Sequence, residues 1–154
     1  MKLNPNIIEP LTKDEFMLTY DNKEILTKNK KDSTDLRYQQ YYEFIITNLK
    51  NVVRKNDVNS QYLIGNYIAD GRVKLANNAN RTKTAIEWMI PAVNDGNLLA
   101  AYRVGQLYLD IKDTISAAEY FRKCVSKMDE EALNELNWEY EYNRFKEING
   151  KQPL

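Results

Sequence analysis

Two stretches of this chain copy one another, and that repetition constrains the fold more than any single residue does. Tyr62-Leu63-Ile64-Gly65 followed by Ile68 recurs as Tyr102-Arg103-Val104-Gly105 followed by Tyr108, and Ala85-Ile86-Glu87-Trp88 recurs as Ala117-Ala118-Glu119-Tyr120. Ala92-Val93 then matches Cys124-Val125, so a small residue stands seven positions after the first alanine in both copies. Glycine on one helix and alanines on the next let the two approach closely, while the large residues between them fill the groove against a neighbouring unit. The expected fold is all-α: an α/α helical repeat of two units, at about 58–96 and 97–128.

The same residues resemble the SEL-like subfamily of the tetratricopeptide-like superfamily. Ile64-Gly65, Ala69-Asp70-Gly71, Ala85, Glu87-Trp88, Ala92 and Gly96 follow the order of a SEL-like repeat, and the resemblance covers about residues 58–128. Gly65 lies 20 residues before Ala85, whereas Gly105 lies 12 before Ala117. The shorter spacing is that of a plain tetratricopeptide repeat; the longer one carries extra residues near Lys74 to Asn80. Two departures stand out. Pro91 falls inside a helix, where a kink is expected because its ring removes a backbone hydrogen bond. Met128 replaces the glycine that Gly96 supplies in the first copy, so that helix ends differently or runs on. The resemblance implies a scaffold or adaptor whose concave surface holds another protein. It also implies that Gly65, Ala85, Trp88, Gly105, Tyr108, Ala117 and Phe121 pack the repeats.

Outside the repeats, residues 1–34 read as an irregular N-terminal segment and 35–154 as the helical repeat domain. Pro5 and Pro10 break the start, and Lys28 to Asp32 reads as a solvated polar loop. Thr12 stands three residues before Glu15, the spacing of a capping box, and predicts a short helix carrying Phe16, Met17 and Tyr20. Tyr38, Tyr41, Tyr42, Ile45, Ile46, Leu49, Val52 and Val53 recur at three- and four-residue steps along one broad face and predict a helix over about 35–55. Its tyrosines are expected at the edge of the core, rings buried and hydroxyls in water, rather than as a ligand cage. Further helices are expected at 60–70, 83–93, 98–110, 115–128 and about 130–148, with breaks at Gly71, Asn94-Asp95-Gly96 and Asp129. Strand-like alternation is weak throughout, so no sheet is expected.

Composition excludes several chemistries. The chain of 154 residues contains no histidine, which rules out hydrolase triads and metal sites that depend on imidazole. There is no Walker-type loop, Rossmann fingerprint or paired-cysteine zinc spacing, so no cofactor and no metal are expected. Lysine plus arginine equal aspartate plus glutamate at 22 each, which removes the global positive field that favours nucleic acid or anionic membranes. Neither is expected as a partner. No apolar run reaches the length of a membrane span or a signal peptide, and the lone Cys124 cannot form an internal disulfide. A cytoplasmic, non-catalytic protein is expected.

The sharpest site candidate is the last helix, where Leu133, Leu136 and Tyr140 gather on one side and Trp138, Tyr142 and Phe145 nearly opposite. A second aromatic face on a terminal helix suggests a partner surface or a homodimer contact, unless residues 1–34 fold back over it. The loop carrying Arg72, Asn78, Arg81 and Lys83 is the second candidate, its alternative being a connection without function. Asp129-Glu130-Glu131 reads as charge at a helix N-terminus. Cys124, at a small-residue repeat position, reads as buried filler, and Trp88 as scaffold. The favoured function is protein binding, in the form of a bacterial immunity-type inhibitor whose partner is a cognate toxin or effector. Its motivation is the short repeat chain, the missing catalytic residues, and an abundance of Lys, Asn and Ile typical of low-GC bacterial or phage coding. The alternatives are an adaptor or regulatory subunit of an enzyme complex, and a carboxylate-dependent enzyme.

Overall fold

The computed structural model describes residues 3–19 and 30–127, with the side chains of 30–34 and 126–127 excepted. These residues are mostly helical. A 3-10 turn at Pro5–Ile7 leads into strand β1 (Ile8–Pro10) and helix α1 (Lys13–Thr19). Then come α2 (Lys30–Lys55), α3 (Val58–Ala69), strand β2 (Val73–Leu75), α4 (Arg81–Asn94), α5 (Leu98–Asp110) and α6 (Thr114–Lys127). The chain divides after Trp88, inside α4, into two compact units.

The connections between helices share one chemistry. α2, α3, α4 and α5 are each followed by a residue in the left-handed region, at Asn56 (φ 52°), Gly71 (73°), Gly96 (90°) and Lys112 (63°). After α4 the Gly96 N–H donates to Val93 O at 3.0 Å and the Asn97 N–H to Ala92 O at 2.9 Å, the paired bonds of a Schellman close. Gly71 with Arg72 and Lys112 with Asp113 repeat that pattern. In three of the four connections an N-cap follows at once: Asp57, Asn97 and Asp113 accept from the backbone N–H three residues on, at 3.0 Å each. The α3–α4 connection is longer, holding β2 and left-handed Asn77 and Asn78 before the cap at Asn80. α4 runs through Pro91, and the Pro91 carbonyl still accepts from Asp95 N–H at 3.0 Å.

In the first unit α2 packs along α3, burying Tyr41, Ile45 and Val52 from one and Ile64 and Ile68 from the other. One buried polar pair crosses this contact, Ser60 Oγ donating to Asn48 Oδ1 at 2.9 Å. The capping box forms as expected: Thr12 N–H donates to Glu15 Oε1 at 2.9 Å and Glu15 N–H to Thr12 Oγ1 at 3.3 Å. These bonds, with Lys74 Nζ 3.2 Å away, hold the Glu15 carboxyl below its ordinary range. Tyr20 lies outside the described residues.

Three expectations are corrected here. A small sheet does exist: β1 and β2 pair antiparallel with Ile8 opposite Leu75, Glu9 opposite Lys74 and Pro10 opposite Val73. Strands of three residues are too short to show alternation, and Pro10 is tolerated because each strand has an edge. The predicted polar loop at Lys28 to Asp32 is helical from Lys30, since no glycine or proline interrupts the run to Lys55. The hydroxyls of Tyr38 and Tyr41 are not left to water, whereas Tyr42 is exposed as expected. Tyr38 Oη donates to Leu11 O at 2.7 Å, while Tyr41 Oη accepts from Leu11 N–H at 3.0 Å and donates to the Arg72 carbonyl. Two residues one turn apart on α2 thus satisfy both backbone groups of Leu11, which is itself buried.

In the second unit α5 lies against α6. A Cβ built on Gly105 would fall 2.6 Å from Phe121 Cε1, so the ring lies directly on the bare backbone. Ala117 buries beside Phe121, with Tyr102, Tyr108 and Leu109 around them, and Ala101 meets Cys124.

Candidate functional site

The broad apolar face read along α2 is two faces. At 100° per residue, Tyr41, Ile45, Asn48 and Val52 form one stripe and Tyr42, Ile46, Leu49 and Val53 another, turned by one residue. The first is buried. The second is open: Ile46 and Leu49 are half-buried, Tyr42 is 45% exposed and Val53 67% exposed.

All of this open stripe but Tyr42 lines a groove of about 370 Å³. α2 contributes Ile46, Leu49, Lys50, Val53 and Arg54, and the N-terminal segment contributes Pro5, Asn6 and Ile8. That segment is held by Asn4, whose Oδ1 accepts from Asn6 N–H at 3.1 Å, and by the pairing of β1 with β2. Lys50 and Arg54, one turn apart, stand exposed along one margin of the stripe, and no described carboxylate pairs with either. The groove's polar groups are therefore one amide and two cations. Such a lining can hold an apolar surface edged with anions; it offers no carboxylate, thiol or hydroxyl to a reaction.

The residues singled out from sequence are placed as follows. Trp138, Tyr142 and Phe145, with Met128 and the acidic run from Asp129, lie outside the described residues. Arg72 is half-buried with its guanidinium 5.9 Å from the centre of the Tyr67 ring. Arg81 Nη1 donates to Ile68 O and Val73 O at 2.9 Å each, tying the end of α3 to β2. Both arginines are thus engaged within the fold, whereas Asn78 and Lys83 are exposed. Lys74 bridges Glu15 at 3.2 Å and Glu9 at 3.9 Å, so the long connection is anchored to the N-terminal segment. Gly65, Ala85, Trp88, Gly105, Ala117 and Phe121 are buried, and Tyr108 is half-buried, stacked on Tyr120 at 5.5 Å. Cys124 is buried with its Sγ 3.4 Å from Leu98 O, and burial pushes its thiol up to about 12, far from a reactive thiolate.

Among the described residues no group of His, Cys, Asp or Glu could hold a metal ion, and no helix is long and apolar enough to cross a membrane. Comparison with protein-family models, curated proteins and solved structures gives no match.

Proposed function

We propose that this chain is a non-catalytic protein-binding module of the cytosol, built as two unequal SEL-like repeats with flanking helices. The observation that carries the binding reading is the open stripe of α2: contiguous apolar side chains on a helix already packed on its other side mark an interaction surface. The repeat reading is supported by the Schellman closes after α3, α4 and α5 and by the seating of Phe121 on Gly105. The favoured form is a bacterial immunity-type inhibitor of a cognate toxin or effector, with the face of Trp138, Tyr142 and Phe145 and the Asn78–Lys83 stretch as further contacts.

A photoreactive residue placed in turn at Val53, Lys83 and Trp138, in the native source, tests this. The expected outcome is a cross-linked protein whose activity falls when the purified chain is added in equal amount. A cross-linked partner with unaltered activity removes the inhibitor form and leaves the module. Absence of a cross-linked protein at all three positions refutes the binding reading.

A further inference from the structure

We infer that the open stripe of α2 is occupied by α2 of a second copy of this chain, running antiparallel; the inference rests on the protein-binding reading above and names the partner of that face.

The spacing of Tyr42, Ile46, Leu49 and Val53 is four, three, four, which reads the same in both directions. Reversing a helix about the midpoint of that stripe brings Tyr42 opposite Val53 and Ile46 opposite Leu49, so each side chain meets one from the same set. It is also the alternation of a heptad seam, in which these four take the two apolar positions in turn.

Charge then selects the direction. Glu43 and Lys50 are seven residues apart and occupy the same flanking position of consecutive heptads, with Arg54 one turn beyond Lys50. In an antiparallel pair, equivalent flanks of the two helices meet. Reversal about the same midpoint sets Glu43 of one copy between Lys50 and Arg54 of the other, and the symmetry makes that contact twice. In a parallel pair Glu43 and Lys50 would instead face the opposite flank, which carries Ile45 and Val52, and no ion pair would form. Glu43 is exposed and steadied by Gln39 Nε2 at 3.2 Å, and Lys50 and Arg54 are exposed without a described carboxylate partner. Two cations without a described carboxylate partner and an anion on one margin are complementary to the same margin reversed.

The groove supplies the remaining fit. Its end near Val53 and Arg54 is where Tyr42 of the second copy arrives, an aromatic ring 45% exposed in one chain. Three turns of helix give a small contact, so the dimer is weak, with dissociation on the order of 100 µM.

Sedimentation equilibrium on the full chain, from about 10 µM to 1 mM, tests the pairing with three variants. Glu43→Lys and Lys50→Glu should each weaken self-association about tenfold or more, since each turns attractions at this margin into repulsions, repeated by the symmetry. Mixed in equal amounts, the two variants should pair again, because at positions 43 and 50 one then presents only lysines and the other only glutamates. Val53→Asp should abolish the dimer with unchanged circular dichroism. A chain that stays monomeric at 1 mM, a dimer indifferent to Val53→Asp, or a mixture no better associated than its components overturns the inference. Cross-linking from Val53 to a different protein, with the chain monomeric, also overturns it while leaving the binding reading standing.

Discussion

Gly105→Ala should destabilise this protein, although the same change in most helices does the opposite. In an ordinary helix interior alanine is favoured over glycine by about 1 kcal/mol. Here the new Cβ would lie 2.6, 2.8 and 3.0 Å from Cε1, Cδ1 and Cζ of Phe121. Carbon atoms in contact prefer about 3.5–4.0 Å, so the ring must retreat by roughly 1 Å. It has little room to do so: Phe121 is 1% exposed, with Ala117 buried beside it and Tyr102, Tyr108 and Leu109 around the pair. Overpacking costs about 1–3 kcal/mol, and two contacts under 3.0 Å against an enclosed ring put this case at about 2–3 kcal/mol, so after the helix-propensity gain the net loss should be about 1–2 kcal/mol. That corresponds to a fall of roughly 2–8 °C in Tm.

Urea denaturation read by far-UV circular dichroism measures the effect, with the midpoint moving and the slope unchanged. The cause is isolated by a double-mutant cycle. Phe121→Leu alone leaves a cavity and should cost about 1–2 kcal/mol, but in the Gly105→Ala background the added methyl enters space that the ring has vacated. The double variant should therefore be more stable than the sum of the singles by about 1 kcal/mol or more. A Gly105→Ala protein as stable as the parent, or two singles that simply add, would refute the contact between this glycine and this ring as the reason for glycine at the position. Gly105→Leu would lose more stability still, since the larger side chain must part the helices.

Lys112 closes α5 in the left-handed region without the freedom of glycine, so Lys112→Gly should gain about 0.5–1 kcal/mol, seen as a higher Tm. Tyr41→Phe leaves Leu11 N–H and the Arg72 carbonyl without their shared partner and should cost about 2–3 kcal/mol by urea titration. Burial pushes the Tyr41 phenol up to about 12 from 10.0, so its share of stability is complete below pH 10 and is lost as pH rises towards 12. The gap between parent and Tyr41→Phe should narrow over that interval. Hydrogen bonds from Ser116 hold Asp113 below its ordinary 3.8; the gap between parent and Asp113→Ala should be complete above that value and close as pH falls through the lowered one.

Features written in a few neighbouring residues were legible before the structure. The capping box at Thr12 and Glu15 and the stop at Asn94-Asp95-Gly96 each depend on a local backbone geometry that only a few side chains favour. The small residues at Gly105, Ala117 and Cys124 were legible for a related reason, since a close helix approach admits nothing larger. The pairing of β1 with β2 was not, because three residues per strand contain too little alternation and the paired positions lie 63 to 67 residues apart. Lys112 gave no local sign of a left-handed turn; the position is imposed by the two helices it joins. The hydroxyl partners of Tyr38 and Tyr41 were not legible either, because Leu11 and Arg72 lie about 30 residues away in opposite directions along the chain.

The open stripe of α2 presents a different case, because its signal stood in the sequence and was merged with another. A helix that packs on one side needs an apolar arc of about 100°. Tyr41-Tyr42, Ile45-Ile46 and Val52-Val53 are adjacent apolar pairs, and adjacent residues on a helix stand 100° apart, so such pairs widen the arc well beyond what one neighbour can cover. Periodicity measures the direction of an apolar face; the doublets measure its width, and the excess width counts surfaces. α3 covers one of them. Once one stripe is assigned to α3, the second requires an occupant or a reason to face water, and its symmetric spacing together with the sign of the charges at 43, 50 and 54 restricts what that occupant can be. Doublets of apolar residues at helical spacing are therefore a signal for a second contact that one sequence can give, provided width is read separately from direction.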